Sequence, residues 1–184
     1  MSAYDDYEDN YFRRAERVYN MTMNYEKLDD VFIKGEAHWA SVFEINPVTD
    51  LYEITIIPDN IEEVKELGVK ILTGFKDQNG NLHGDSAREK VDDEGNPRYE
   101  VTEDDIEFVK IVSSKNAKFG PKVMYDDEDV ESGTKIGNGS KVLVKCDLAR
   151  TQFNKKQFIA LKRPSKVRVI DLVTFGNRDS EMYD

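Results

Sequence analysis

Lys141-Val142-Leu143-Val144-Lys145-Cys146-Asp147-Leu148 is the stretch on which the fold turns. Successive side chains of a strand point to opposite faces, so Val142, Val144, Cys146 and Leu148 share one side and Lys141, Leu143, Lys145 and Asp147 the other. One face suits a core and the opposite face carries cations. Further strand signal lies on both sides, at residues 108–112 and 122–125 before it and at 157–161 and 166–175 after it. Gly133, Gly137, Gly139, Asn154 and Pro164 punctuate these runs. Phe153 and Phe158 bracket Asn154, Lys155 and Lys156, which reads as a hairpin tip with aromatic rings beside cations.

Earlier in the chain, residues 37–45 and 51–57 read as two strands with Asn46, Pro47 and Asp50 turning between them. Pro58 ends the second. Asn60 then caps a short helix, Glu63 completes a capping-box-like pair, Ile61, Val64 and Leu67 share one helical face, and Gly68 stops it. Residues 77–84 and 92–97 read as turns or flexible loops. Short strands at this spacing, with one helix among them, point to a small Greek-key barrel rather than an α/β layer fold. Residues 1–30 read as an acidic, aromatic N-terminal arm.

The chain has 184 residues, 39% hydrophobic and 34% charged, with a net charge of -11. A uniformly acidic protein repels nucleic acid, but the charge here is segregated. Between positions 135 and 170 stand ten cations and a single acid, Asp147, so this stretch carries +9 and the remainder -20. Single-stranded DNA offers unpaired base faces and a charged backbone, and a surface combining rings with Lys and Arg meets both needs. The candidate DNA-binding set is Lys141, Lys145, Arg150, Phe153, Lys155, Lys156, Lys162, Arg163, Lys166 and Arg168, with Trp39 and Tyr52 as further rings. Phe153, Trp39 and Tyr52 are open between stacking platform and core. Phe158 and Phe175 read as core, Cys146 as a buried apolar residue, and His38 and His83 as turn or surface residues. A duplex reader would need a recognition helix, and the one helix carries Glu62, Glu63 and Glu66.

Other chemistries lack their residues. A single cysteine forms no internal disulfide, and with two histidines there is no Cys/His set for zinc. Asp126, Asp127, Glu128, Asp129 and Glu131 lack the spacing of a calcium loop and read as a charged loop. No phosphate loop, nucleophile elbow or His-carboxylate pair is present, so neither catalysis nor a cofactor is expected. No apolar run approaches the roughly 18 residues of a membrane span, and the acidic N-terminus is unlike a signal peptide, so a reducing cytoplasm is expected.

Ile136-Gly137-Asn138-Gly139-Ser140-Lys141-Val142, the Lys-rich strand after it, and the closing Leu172-Val173-Thr174-Phe175-Gly176 resemble the single-stranded DNA-binding proteins of short-tailed bacteriophages. The resemblance covers about residues 106–184 and, more faintly, 34–58. It implies a mainly β, OB-fold-like Greek-key barrel with one short helix and extended N- and C-terminal arms, divided as arm 1–30, DNA-binding domain 31–176 and short acidic tail 177–184. It implies a non-enzymatic protein of the infected host's cytoplasm that coats single strands without sequence preference and promotes annealing in phage DNA replication, recombination and repair. It also implies a homodimer whose acidic terminus recruits the replication polymerase and helicase-primase. The tail residues for that role are Asp179, Glu181, Tyr183 and Asp184, and Tyr4 to Tyr11 have a similar composition. The rival expectation is an acidic DNA-mimic or structural phage protein that binds protein partners rather than DNA.

Overall fold

The computed structural model describes residues 25–174. Eight strands carry the fold: β1 (Glu26–Asn46), β2 (Leu51–Pro58), β3 (Leu72–Lys76), β4 (Leu82–Gly84), β5 (Glu103–Val112), β6 (Lys122–Tyr125), β7 (Ser140–Phe153) and β8 (Lys156–Asp171). One α-helix, α1 (Ile61–Glu66), follows β2, and a 3₁₀ turn (Asp85–Glu89) follows β4. β1 pairs antiparallel with β2 and β7, β2 with β5, and β7 with β8. A parallel contact between Val112 and Lys162 joins β5 to β8 and closes the ring β1-β2-β5-β8-β7. The result is an OB-like barrel, to which β6 adds on β8 and the β3–β4 hairpin adds on β5.

The alternation expected in β7 holds from Val142 to Cys146 and then breaks: Asp147 is wholly buried beneath Tyr25 and Arg163, and Leu148 is only half-buried. Val142, Val144 and Cys146 are wholly buried with Ile54, Ile56, Ile111 and Val167 in the barrel core. Burial at 25 cal/mol per Å2 makes such a shared apolar interior the main stabilising term. Val64 of α1 joins this core, with Ile61 and Leu67 packed against it. Asn60 caps the helix by accepting from the Glu63 N–H at 3.3 Å, and Gly68, at φ 78°, takes the chain out of it. A smaller cluster of Leu82, Ile106 and Phe108 lies under the β3–β4 hairpin.

Several elements differ from their sequence reading. Residues 26–30, read as arm, open β1, and Tyr25 is buried with its hydroxyl donating to Asp147 at 2.8 Å. Residues 1–24, with the rest of the arm, lie outside the described residues, as do Phe175 and the tail. Residues 82–84, read as loop, form β4. The two strands expected around Pro164 are one strand, β8. Between the pairs Lys145–Lys166 and Asp147–Lys162, β8 spends four positions where β7 spends two. Proline has no N–H for the ladder, so it fits this bulge. Ser165 Oγ donates to the Lys145 carbonyl at 3.1 Å in the gap. At the other end, Asn154 and Lys155 both have positive φ (49° and 65°), the two-residue turn that the right-handed strand twist favours.

His38 is a further correction. It is wholly buried in β1 rather than at a turn. Its Nδ1 accepts the Leu82 N–H at 3.3 Å, so the ring proton sits on Nε2 and is donated to Glu36 at 2.7 Å. Both ring nitrogens are satisfied, which is the condition for burying an imidazole. Among the described residues no helix is long and apolar enough to cross a membrane.

Candidate nucleic-acid interface

Residue pairs facing each other across an antiparallel ladder lie on the same side of the sheet. On the side of the β7–β8 ribbon opposite the core residues Val142 and Val144 these pairs are Leu143–Arg168, Lys145–Lys166, Asp147–Lys162, Ala149–Ala160, Thr151–Phe158 and Phe153–Lys156, with Asp147 and Ala149 themselves wholly buried. Most of the cations read from the sequence are therefore on one face of one ribbon. The Arg163–Ser165 bulge divides them. On one side of it the ribbon is flanked by β1 and β6, where Phe32 pairs with Lys145 and Lys122 with Lys166. Lys141, Lys145, Lys166 and Arg168 belong to this flank. Lys141 is tied to Asp59, and Arg168 donates to Asp126 at 2.7 and 3.0 Å.

On the other side the ribbon meets β5, and a groove opens. Phe158, Ala160 and Lys162 form one wall with Val112, Lys110 and Lys70 opposite. Toward β4 the groove continues through the shared residues Leu72 and Lys110 into a hollow with Trp39, Thr55, His83 and Lys90. Toward the β5 end, the residues that follow Val112 and Lys162, namely Ser113 and Arg163, line a hollow of about 390 Å3 with Tyr52, Lys115, Lys118 and Phe119. Seven cations and one carboxylate, Asp85, line the three stretches. Asp85 is already engaged by Thr73 and by Arg88 Nε at 3.2 Å. Of the seven cations, only Arg163 is ion-paired among the described residues, to the buried Asp147. Burial lowers the Lys162 ammonium below its usual pKa, because charge in a partly dry groove lacks its full hydration. An anion arriving there meets six lysines that have no ion-pair partner among the described residues.

The rings of the groove are held in place. Trp39 occupies an irregular stretch of β1 with φ 51°, is 46% exposed, and donates from Nε1 to the Leu82 carbonyl at 2.6 Å. Its own N–H is taken by Asn138 Oδ1 at 2.8 Å, and Asn138 Nδ2 reaches Asn81 Oδ1 at 3.0 Å. The Gly137-Asn138-Gly139-Ser140 segment is thus the brace of this ring. It also binds the segment that follows β8, with Gly137 N–H donating to the Val173 carbonyl at 2.7 Å and Val173 N–H to Ser140 Oγ at 2.8 Å. A side chain at Gly137 would strike the Val173 carbonyl at 2.3 Å. His83 lies 5.8 Å from Trp39 and stacks at 4.0 Å on Tyr99.

Of the residues expected from the sequence, Trp39, Tyr52, Lys162 and Arg163 line the groove. Phe153, Lys155 and Lys156 form the tip beyond Phe158, with Phe153 69% exposed. Arg150 does not line the groove; it lies across the ladder from Ile159 and pairs with Glu26 at 3.2 Å. Phe158 is not a core residue: it is 45% exposed on the groove wall, because the strand extends past the barrel interior there. Lys70, Lys90, Lys110, Lys115, Lys118 and Phe119 were missed. Residues 111–125 hold three lysines and no acid in an otherwise acidic half of the chain, a signal that was available. Among the described residues no cluster of His, Cys, Asp and Glu could hold a metal ion.

Fold and groove together define an OB-like β-barrel with a cationic, ring-lined cleft. No protein-family model matches the chain, and no curated protein matches its sequence. Among solved structures it is similar to the crystal structure of gp2.5, a single-stranded DNA binding protein encoded by bacteriophage T7, at 17% identity and a TM-score of 0.47 over 80% of this chain and 89% of that one.

Proposed function

We propose that the chain binds single-stranded DNA without sequence preference in the groove between β5 and β8, and does so without catalysis. The observation that supports this most is the groove's own inventory, seven cations and exposed rings against one engaged carboxylate, in a protein of net charge -11. Cations neutralise phosphates and release counterions, and rings stack on bases whatever their identity. Trp39, Tyr52, Phe158, Lys110, Lys162 and Arg163 are the central contacts, and Phe153, Lys155 and Lys156 extend them along the hairpin tip. Lys141, Lys145, Lys166 and Arg168 would act on a longer strand that passes onto the flank.

In its finer form the proposal is a phage replication protein of the host cytoplasm that coats and anneals strands in replication, recombination and repair. Homodimerisation and recruitment of polymerase and helicase-primase through Asp179, Glu181, Tyr183 and Asp184 belong to the same proposal.

Trp39 is the only tryptophan, so its fluorescence reports directly on the groove. Oligo-dT is expected to quench it, and matched duplex to compete poorly. With about four phosphates contacted, affinity should fall roughly fiftyfold between 50 and 200 mM salt. Absence of any oligo-dT signal, with capture of a basic protein instead, would favour the acidic mimic.

A further inference from the structure

The hollow at the end of β5 has a chemistry of its own. Its walls are mainly apolar, from Tyr52, Ala117, Phe119, Pro121 and Pro164, and its charged members are Lys115, Lys118 and Arg163 with no acid. The site is built rather than loose. Tyr52 N–H donates to Ser113 Oγ at 3.0 Å and Ser113 N–H returns to the Tyr52 carbonyl at 2.8 Å. Gly120 lies so close to the Tyr52 ring that a Cβ there would come within 2.7 Å of it, which fixes the backbone beside Phe119. Phe119 is nevertheless 86% exposed. The Asn116 carboxamide also lines the hollow and makes no hydrogen bond among the described residues, so it offers both a donor and an acceptor.

A flat aromatic ligand with polar edges and adjoining negative charge fits this combination. Because the hollow begins at the residues next in sequence to the groove, Ser113 after Val112 and Arg163 after Lys162, we propose that it takes one unstacked base of the bound strand, with Lys115, Lys118 and Arg163 on the adjoining phosphates. This rests on the single-strand reading above and adds a base-capture pocket to it. An acidic, aromatic peptide has related chemistry, but adjacency to the groove favours the nucleotide. One base leaves the line of the strand and anchors it.

The test uses the full chain, oligo-dT carrying a single 5-iododeoxyuridine, and two variants. Ala117→Trp fills the hollow, and Phe119→Ala removes an exposed ring whose loss leaves the fold intact. Photo-crosslinking followed by peptide mapping should find Tyr52 or Phe119 in the unaltered chain. Both variants should bind oligo-dT about tenfold more weakly, and Ala117→Trp should lose the Tyr52 crosslink. Crosslinks confined to Trp39 and Phe158, with unchanged affinity in both variants, would overturn the pocket and leave the groove standing. Failure of the unaltered chain to bind oligo-dT would instead overturn the single-strand reading itself. If Ala117→Trp does not fold, Phe119→Ala decides the matter alone.

Discussion

Arg163 of β8 donates to Asp147 of β7 through Nε at 3.1 Å and Nη2 at 3.4 Å, and the carboxylate that receives it has no exposed surface. The bulge makes the pairing: Arg163 sits at φ 49°, a conformation that a regular ladder would not give it. Asp147 also accepts from the Tyr25 hydroxyl and faces Lys27 Nζ at 3.5 Å. One buried acid thus orients a groove cation and ties the start of β1 to the barrel.

Replacing Asp147 by Ala removes the carboxylate that accepts from the Tyr25 hydroxyl and the Arg163 guanidinium and that faces Lys27. The expected cost is about 3 kcal/mol, in the range for losing hydrogen bonds to a buried charge. Urea denaturation measures it directly. Asp147→Asn should cost less and still weaken oligo-dT binding, because Arg163 loses its ionic anchor.

Acid should act through Glu36. The hydrogen bond from His38, followed by that from Lys76, holds its carboxyl at about 2, against a usual value of 4.5. A depressed folded-state value means that the stabilisation is complete above about 4.5 and is lost as pH falls toward about 2. The urea midpoint should therefore drop across that window, and Glu36→Gln should flatten this part of the curve. An equal acid slope in both proteins would show that Glu36 is not the group responsible.

Burial pushes the Cys146 thiol up to about 12, so the native protein carries almost no thiolate at neutral pH. Modification by a disulfide reagent should be negligible on the folded chain and follow the opening rate when urea is added. Rapid labelling without denaturant would mean that the strand pair around Cys146 opens readily.

Phe158→Ala isolates ring stacking from folding. The ring is half exposed, so the midpoint of unfolding should hardly move, while affinity for oligo-dT should fall by about 1–3 kcal/mol. Trp39→Ala should weaken binding similarly but also cost stability, since its Nε1 bond to Leu82 links β1 to β4.

Local physics made some elements legible. Asn60, Glu63 and Gly68 set α1 between neighbours a few residues apart, and the alternation of β7 from Val142 to Cys146 shows in its own side chains. Long-range contacts hid the rest. Pro164 marks a bulge inside a strand only because β7 continues to pair on both sides of it. His38 is tolerable in the interior because Leu82, 44 positions away, supplies an N–H. The groove was half read for the same reason: cations gathered along positions 135–170 divide at the bulge, whereas Lys70, Lys110 and Lys162 meet only because β5 and β8 close the ring. Counting charge along a chain finds a ribbon face, not a cleft between two strands.

The groove is tested most directly by the salt dependence of oligo-dT binding in the unaltered chain and in a Lys110→Gln, Lys162→Gln double variant, followed by Trp39 fluorescence. Each lost phosphate contact should make the log–log slope shallower by about 0.7, so the double variant should lie about 1.4 below the unaltered chain in magnitude. Tight binding with the same slope in both proteins would place the strand elsewhere on the molecule.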